Sequence, residues 1–154
     1  AALLNFARVV KRDIGSDVLD VSGAGAAGGL GAGLIAFAGA KIQSGIDLVC
    51  QVLDFDAHLA GADLVITGEG RADRSTVFDK APVGVARHAK AHGVPTVLLA
   101  GSLGDGHENL YDHGVASVLC ISDGTMTFEQ ALSRTGEMLE GTAERVMRLF
   151  LLSP

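Results

Sequence analysis

Two acidic side chains follow the first strongly apolar segment of the chain at a spacing suited to chemistry. Glu69 and Asp73 stand four residues apart, directly after the β-branched segment 63–67, and glycines flank Glu69. Oxygen ligands of this kind suit Mg²⁺, which usually keeps several waters and bridges substrate phosphates. We therefore expect Glu69 and Asp73 to hold a metal ion at the end of a strand.

Cations and hydroxyl groups accompany these carboxylates within residues 67–80, which read TGEGRADRSTVFDK. Arg71 and Lys80 could neutralise charge that develops on a transferring phosphoryl group. We predict catalytic roles for Glu69, Arg71, Asp73 and Lys80, and nucleotide contacts from Thr67, Gly68, Gly70 and Thr76. The alternative is a charged surface loop held by its own salt bridges.

A glycine-rich segment lies upstream and matches the string G-x-G-x-x-G over residues 23–28. Glycines let the backbone approach a phosphate, and the N-terminus of a following helix adds a favourable dipole. We predict phosphate or nucleotide binding at Gly23, Gly25, Gly28 and Gly29. Two alternatives stay open: close helix packing through small residues, and a nicotinamide site, which needs a strand directly before Gly23.

Histidine pairs are the remaining candidates for metal binding. His88 and His92 share one helix face, as a zinc pair would, but no third ligand is evident and a solvated helix face is favoured. The polar residues 107–113 read as a surface loop.

The chain contains neither a Walker A string nor a G-x-S-x-G elbow, which disfavours P-loop NTPases and α/β-hydrolases.

Three short apolar segments, 63–67, 94–100 and 115–121, have the composition of strands buried on both faces. Helical patterns separate or follow them at 83–92 and 127–151. This order predicts an α/β fold, a doubly wound, mainly parallel sheet of the Rossmann-like kind. Ligands in such sheets bind outside the carboxyl ends of the strands, where glycine, hydroxyl and carboxylate residues gather here.

Helical periodicity covers most of the rest of the chain. Helices are predicted over 2–12, 30–40, from Gly45 onward, and over 56–60. The segment 127–151 shows a stripe predicted to form one buried face: Phe128, Leu132, Leu139, Ala143, Val146, Met147 and Phe150. We expect residues 1–45 to end a second α/β domain and residues 46–154 to form a portion of the Rossmann-like domain.

The composition narrows the classes of partner. A net charge of −6 over 154 residues argues against nucleic acid or an anionic membrane as the main partner. No apolar segment is long enough to span a bilayer, and no signal peptide is visible. Cys50 and Cys120 suit buried, reduced thiols, so we expect a cytoplasmic protein. The first residue is not Met and starts inside a helical pattern, so we expect a piece of a longer polypeptide.

The two glycine-bearing segments together resemble the type I glycerate kinase family. That family carries GAGAAGG, then a PGID-like segment, then TGEGRxDxQTxxGKxP. Here these are residues 23–29, Ser44-Gly45-Ile46-Asp47, and residues 67–82, and the likeness continues through Ala100-Gly101-Ser102. Ser75 replaces the usual Gln and shortens a polar reach, Asp79 replaces Gly and adds a negative charge, and Ser44 replaces Pro.

The resemblance implies the C-terminal part of a two-domain glycerate kinase fold with its active site between the domains. The implied reaction transfers the γ-phosphoryl group of ATP to D-glycerate and gives 2-phosphoglycerate, with Mg²⁺ as cofactor. The implied partners are glycerate, ATP and the missing N-terminal part of the same polypeptide. Two other readings remain: an NAD(P)-dependent dehydrogenase that uses Gly23–Gly28, and a non-catalytic α/β fragment.

Overall fold

The computed structural model describes residues 2–78 and 80–152. Contacts within the chain divide it into two compact units, Ala1–Ser44 and Gly45–Pro154. The first unit contains α1 (Ala2–Ile14) and α2 (Ala26–Ala38). The second contains α3 (Gly45–Val52), α4 (Phe55–Leu59), β1 (Val65–Ala72), α5 (Ala81–Ala91), β2 (Thr96–Leu103), β3 (Val115–Cys120), α6 (Phe128–Ser133) and α7 (Thr135–Phe150). Two 3-10 helices, Arg74–Val77 and His107–His113, complete the second unit.

The three strands form a parallel sheet in the order β1-β2-β3. The central strand β2 is buried continuously from Thr96 to Ala100, because each face of the sheet is covered. Leu98 and Ala100 pack with α5, whereas Val97 and Leu99 pack with α7. Helices on both faces of a parallel sheet confirm the predicted doubly wound α/β fold.

The strands β1 and β2 extend further than the apolar segments predict. We expected β1 to end at Thr67, with a loop after it, but the ladder continues through Glu69 paired with Ala100 and Arg71 paired with Ser102. The polar, glycine-rich composition argues against strand by local preference. Pairing with β2 overrides that preference, because each additional pair satisfies backbone N–H and C=O groups of both strands.

The helical segment 127–151 is two helices rather than one. Arg134 leaves helical geometry, with φ −106° and ψ 8°, and its guanidinium pairs with Asp123 at 3.1 Å and Glu137 at 2.7 Å. The break changes which side chains face the sheet, so Met138 and Val146 are buried. The predicted single buried stripe is wrong at four positions, which are exposed: Phe128, Leu132, Leu139 and Met147.

The first unit packs α1 against α2 through small and apolar side chains, including Ala7, Val10 and Ala32. Residues 27–29 take left-handed backbone geometry inside α2, so the regular helix begins close to the predicted residue 30. A turn, not a strand, precedes Gly23, and the described residues of this unit include no strand. The dehydrogenase reading therefore lacks the strand that its phosphate loop requires.

The remaining helices agree with the sequence patterns. α1 runs two residues beyond the predicted 2–12, and α3, α4 and α5 lie where periodicity indicates. Cys50 is buried as predicted, but Cys120 is only partly buried, and both are free thiols. None of the helices among residues 2–78 and 80–152 has the length and hydropathy needed to cross a membrane.

Candidate active site

A cavity of about 780 Å³ opens at the carboxyl ends of the strands in the second unit. Its floor comes from β1 and β2 and from Ile121, directly after β3, and its other walls come from α6 and α7. A volume of this size suits a ligand larger than a few atoms. The lining comprises Gly68, Glu69, Gly70, Arg71, Leu99, Gly101, Ser102, Ile121, Phe128, Ala131, Leu132, Thr135, Met138 and Leu139.

Glu69 contributes a carboxylate to this cavity from within β1. The side chain is half-buried, and within residues 2–78 and 80–152 it makes no hydrogen bond or ion pair. A half-buried carboxylate without a partner is unusual, because removing a charge from water costs free energy that a partner normally offsets. Glu69 is therefore available to a ligand.

Arg71 and Asp73 form a pair beside the cavity, with 3.2 Å between Nε and Oδ2. Asp73 also caps the following 3-10 helix, because its Oδ1 accepts from the N–H of Ser75 at 2.8 Å and from the hydroxyl at 2.7 Å. These bonds from Ser75, offset in part by burial, and then the charge of Lys80 and the hydrogen bond from Arg71 lower the pKa of the Asp73 carboxyl. Asp73 thus remains ionised and holds Arg71 in place.

Thr76 completes this turn from a fully buried position. Its hydroxyl oxygen accepts from the backbone N–H of Asp73 at 3.1 Å, which is the second half of a capping box. The hydroxyl donates to the carbonyl of Arg71 at 3.4 Å. These contacts tie the end of β1 to the turn, so Thr76 has a positioning role that the sequence did not distinguish from ligand contact.

Close contacts with β1 and with the side chains at its end explain two glycines, Gly101 in β2 and Gly104 directly after it. A Cβ atom on Gly101 would lie 2.7 Å from the carbonyl oxygen of Gly70, across the ladder between β1 and β2. A Cβ atom on Gly104 would lie 2.9 Å from Cβ of Asp73 and 3.0 Å from Nε of Arg71. Glycine at both positions lets the strand carrying Glu69 and Arg71 pack directly against its neighbour.

The donor set fits a magnesium ion in part. Glu69 has both carboxylate oxygens uncommitted within the described chain, whereas Asp73 already accepts three hydrogen bonds on its two oxygens. No three His, Cys, Asp or Glu side chains converge among residues 2–78 and 80–152. One or two carboxylates with waters and substrate phosphates are nevertheless an ordinary set for Mg²⁺. Metal binding by Glu69 and Asp73 stays a prediction.

The other predicted site residues lie at several places. Thr67 is half-buried in β1. Lys80 is the residue directly before α5, and its charge lowers the pKa of Asp73. Asp79 lies outside the described residues. The glycine-rich segment belongs to the first unit, where the N–H groups of Ala26 and Gly29 donate to Gly23 and Gly25.

Packing explains one glycine of that segment. Gly29 is buried with φ +88°, and a Cβ atom there would lie 2.5 Å from Cδ2 of Leu3. Close helix packing, one of the two alternatives considered, therefore accounts for this residue. Phosphate binding at Gly23, Gly25, Gly28 and Gly29 stays a prediction.

The sequence did not predict that α6 and α7 contribute to the site. Phe128, Leu132 and Leu139 line the cavity, although the periodicity assigns them to a buried helix face. All three side chains are exposed rather than buried. Thr127 and Gln130 form a capping box at the start of α6, which agrees with the helix start predicted at residue 127. Arg134, at the start of α7, makes no side-chain cap hydrogen bond, so a capping signal does not mark the break.

The pair His88 and His92, weighed above as a zinc pair, belongs to no group of three metal-ligating side chains among residues 2–78 and 80–152. His88 Nδ1 lies 2.7 Å from Asp56 Oδ1 and Nε2 lies 3.2 Å from Asp47 Oδ1, while Nδ1 of His92 lies 3.0 Å from the backbone carbonyl of His88. The hydrogen bond with Asp56, offset in part by burial, and then the bond with Asp47 raise the pKa of His88. His88 thus joins α5 to α3 and α4 rather than facing solvent.

Comparison with known proteins identifies relatives of this chain. The glycerate kinase family model matches residues 1–151. A glycerate kinase of Halalkalibacterium halodurans is 44% identical over 94% of this chain and 38% of its own length. The glycerate 2-kinase of Escherichia coli is 43% identical over 84% of this chain and 34% of its own length.

A solved structure agrees with these relatives. A crystal structure from Salmonella typhimurium LT2, provisionally named glycerate kinase 2, superposes with a TM-score of 0.72 at 43% identity, over 97% of this chain and 38% of that one. The chain thus spans less than half the length of the relatives it matches. Because the family model covers almost every residue, and because the motifs at 23–29 and 67–82 lie within it, this chain belongs to the glycerate kinase family.

Proposed function

We propose that this chain supplies part of the active site of a glycerate kinase, which transfers the γ-phosphoryl group of ATP to D-glycerate and gives 2-phosphoglycerate. The observation that carries the proposal is Glu69, a half-buried carboxylate without a described partner, in a cavity at the carboxyl ends of parallel strands. Its relatives named glycerate kinase support the same reaction. The rest of the polypeptide would supply the remaining wall of the site.

Phosphoryl transfer depends on positioning and on stabilising charge. Glu69 accepts a hydrogen bond from the glycerate hydroxyl or helps to hold Mg²⁺, with Asp73 as a further ligand. Mg²⁺, when bound, neutralises charge on the phosphate oxygens. Arg71, held by Asp73, and Lys80 bind phosphate or the glycerate carboxylate. The backbone of residues 23–29 receives phosphate or glycerate. A cytoplasmic location stays a prediction.

The test is Glu69→Gln in the complete polypeptide, assayed for ATP- and Mg²⁺-dependent phosphorylation of glycerate. Glutamine keeps the volume but removes the charge, so we expect kcat to fall by about a hundredfold or more with an unchanged circular dichroism spectrum. The matched control is Glu108→Gln, an exposed carboxylate on the second 3-10 helix outside the cavity lining. Turnover near the wild-type value in Glu69→Gln would remove Glu69 from the mechanism.

A further inference from the structure

The lining of the cavity that contains Glu69 comprises two chemically different sets of residues. In the first set, from β1 and β2, the backbone of Gly68, Gly70 and Gly101 and the side chains of Glu69 and Arg71 present hydrogen-bonding and charged groups. We call this set the polar lining. It coincides with the carboxyl ends of β1 and β2, where parallel sheets place the reacting and charged parts of their ligands.

The second set, which we call the apolar lining, is built from hydrocarbon surface. Its floor is the buried set Leu99, Ile121 and Met138, each at most 5% exposed. Its walls are three large side chains left in solvent, namely Phe128 at 77%, Leu132 at 60% and Leu139 at 42%. Large apolar side chains that remain exposed together around a concavity mark a binding surface, because covering them is favourable in proportion to the area removed from water.

Glycerate does not match the apolar lining. Each of its three carbons carries at least one oxygen, so the molecule has no hydrocarbon face to set against Phe128, Leu132 or Leu139. The nucleotide co-substrate does have such a part, because its purine is flat and can stack on an aromatic ring. The triphosphate, in turn, matches the polar lining at Arg71.

We infer that the apolar lining binds the base of the nucleotide, with Phe128 stacking on it, while the phosphates extend along the floor toward Arg71. The inference rests on the proposed kinase function for the nature of the co-substrate. Phe128 is the aromatic side chain of the lining, and as the first residue of α6 it follows the capping residue Thr127. The capping box therefore fixes the backbone of the helix start that carries Phe128.

The experiment measures binding rather than turnover, by calorimetry on the complete polypeptide, with ADP plus Mg²⁺ as one probe and inorganic tripolyphosphate as the other. We expect Phe128→Ala to raise the Kd for ADP about tenfold, as loss of a base-stacking ring typically does, and to leave the Kd for tripolyphosphate unchanged. Phe128→Tyr, which keeps the ring, should bind ADP like the wild type. Arg71→Gln should weaken both probes.

The matched control is Phe37→Ala, which removes another exposed phenylalanine, 68% accessible and outside the cavity lining. It should leave both Kd values unchanged. Unaltered ADP binding in Phe128→Ala would overturn the inference, and so would equal weakening of ADP and tripolyphosphate, which would indicate a general distortion. Phe128-dependent ADP binding without any phosphorylation of glycerate would instead refute the proposed reaction and leave the nucleoside site standing.

Discussion

The close contact between β1 and β2 makes Gly101→Ala the sharpest test of the site's construction. The added Cβ atom would lie 2.7 Å from the carbonyl oxygen of Gly70, which is backbone and cannot rotate away, so the strand ends must separate. Overpacking of this kind costs about 1–3 kcal/mol, and the lower entropy of unfolded alanine returns about 0.4–1 kcal/mol. The midpoints of these two ranges give an expected net loss of about 1.3 kcal/mol in the free energy of unfolding.

Urea denaturation followed by far-UV circular dichroism measures this loss, since the chain has no tryptophan and one tyrosine. With a urea slope of about 2 kcal/mol/M, the midpoint should fall by roughly 0.6 M. The matched control is Gly68→Ala, whose Cβ atom would make an ordinary contact at 3.6 Å with the carbonyl oxygen of Leu99. Wild-type stability in Gly101→Ala, or a larger loss in Gly68→Ala, would refute the account of why Gly101 is glycine.

Two further substitutions test the groups around the site. In thermal melts, His88→Gln should destabilise the fold more at about pH 5.5 than at about pH 8.5, because contacts with Asp56 and Asp47 raise the pKa of His88. A raised histidine pKa contributes stability that is present below the pKa of the unfolded chain and is lost as the pH rises through the pKa of the folded protein. Equal loss at both pH values would contradict a charged His88. Thr76→Val should lower the free energy of unfolding by about 1–2 kcal/mol in urea denaturation, because it leaves the N–H of Asp73 and the carbonyl of Arg71 without their partner. Thr76→Ser should retain most of the stability. Equal losses in both variants would show that the hydroxyl is not the stabilising group.

The local sequence pattern was sufficient to predict the doubly wound α/β architecture. The apolar, β-branched segments 94–100 and 115–121 indicated strands buried on both faces, and the intervening and following helices indicated a doubly wound sheet. These predictions were right because burial on two faces demands nearly continuous hydrophobicity, which is visible in the sequence. The order of motifs at 23–29 and 67–82 was likewise sufficient for the family, since it does not depend on how the chain folds.

The local sequence pattern was insufficient to predict the structure where strand pairing or a helix break competes with the preference of the composition. The segment Gly68-Glu69-Gly70-Arg71 has poor strand propensity, yet it lies in β1 because β2 offers backbone partners along its whole length. Phe128 has the spacing of a core residue, yet it is exposed and lines the cavity, in a segment that Arg134 divides into two helices. Both outcomes depend on groups distant in sequence, which periodicity within one segment does not register.

The sequence by itself therefore determined which residue types could bind a phosphorylated substrate, namely Glu69, Arg71 and the glycines near them. Only the tertiary structure decided that Glu69 has no described partner, that Asp73 and Thr76 hold the turn, and that α6 and α7 add an apolar wall. The physical reason is that a side chain's chemical type is local, whereas its availability depends on every group that packs or hydrogen-bonds around it.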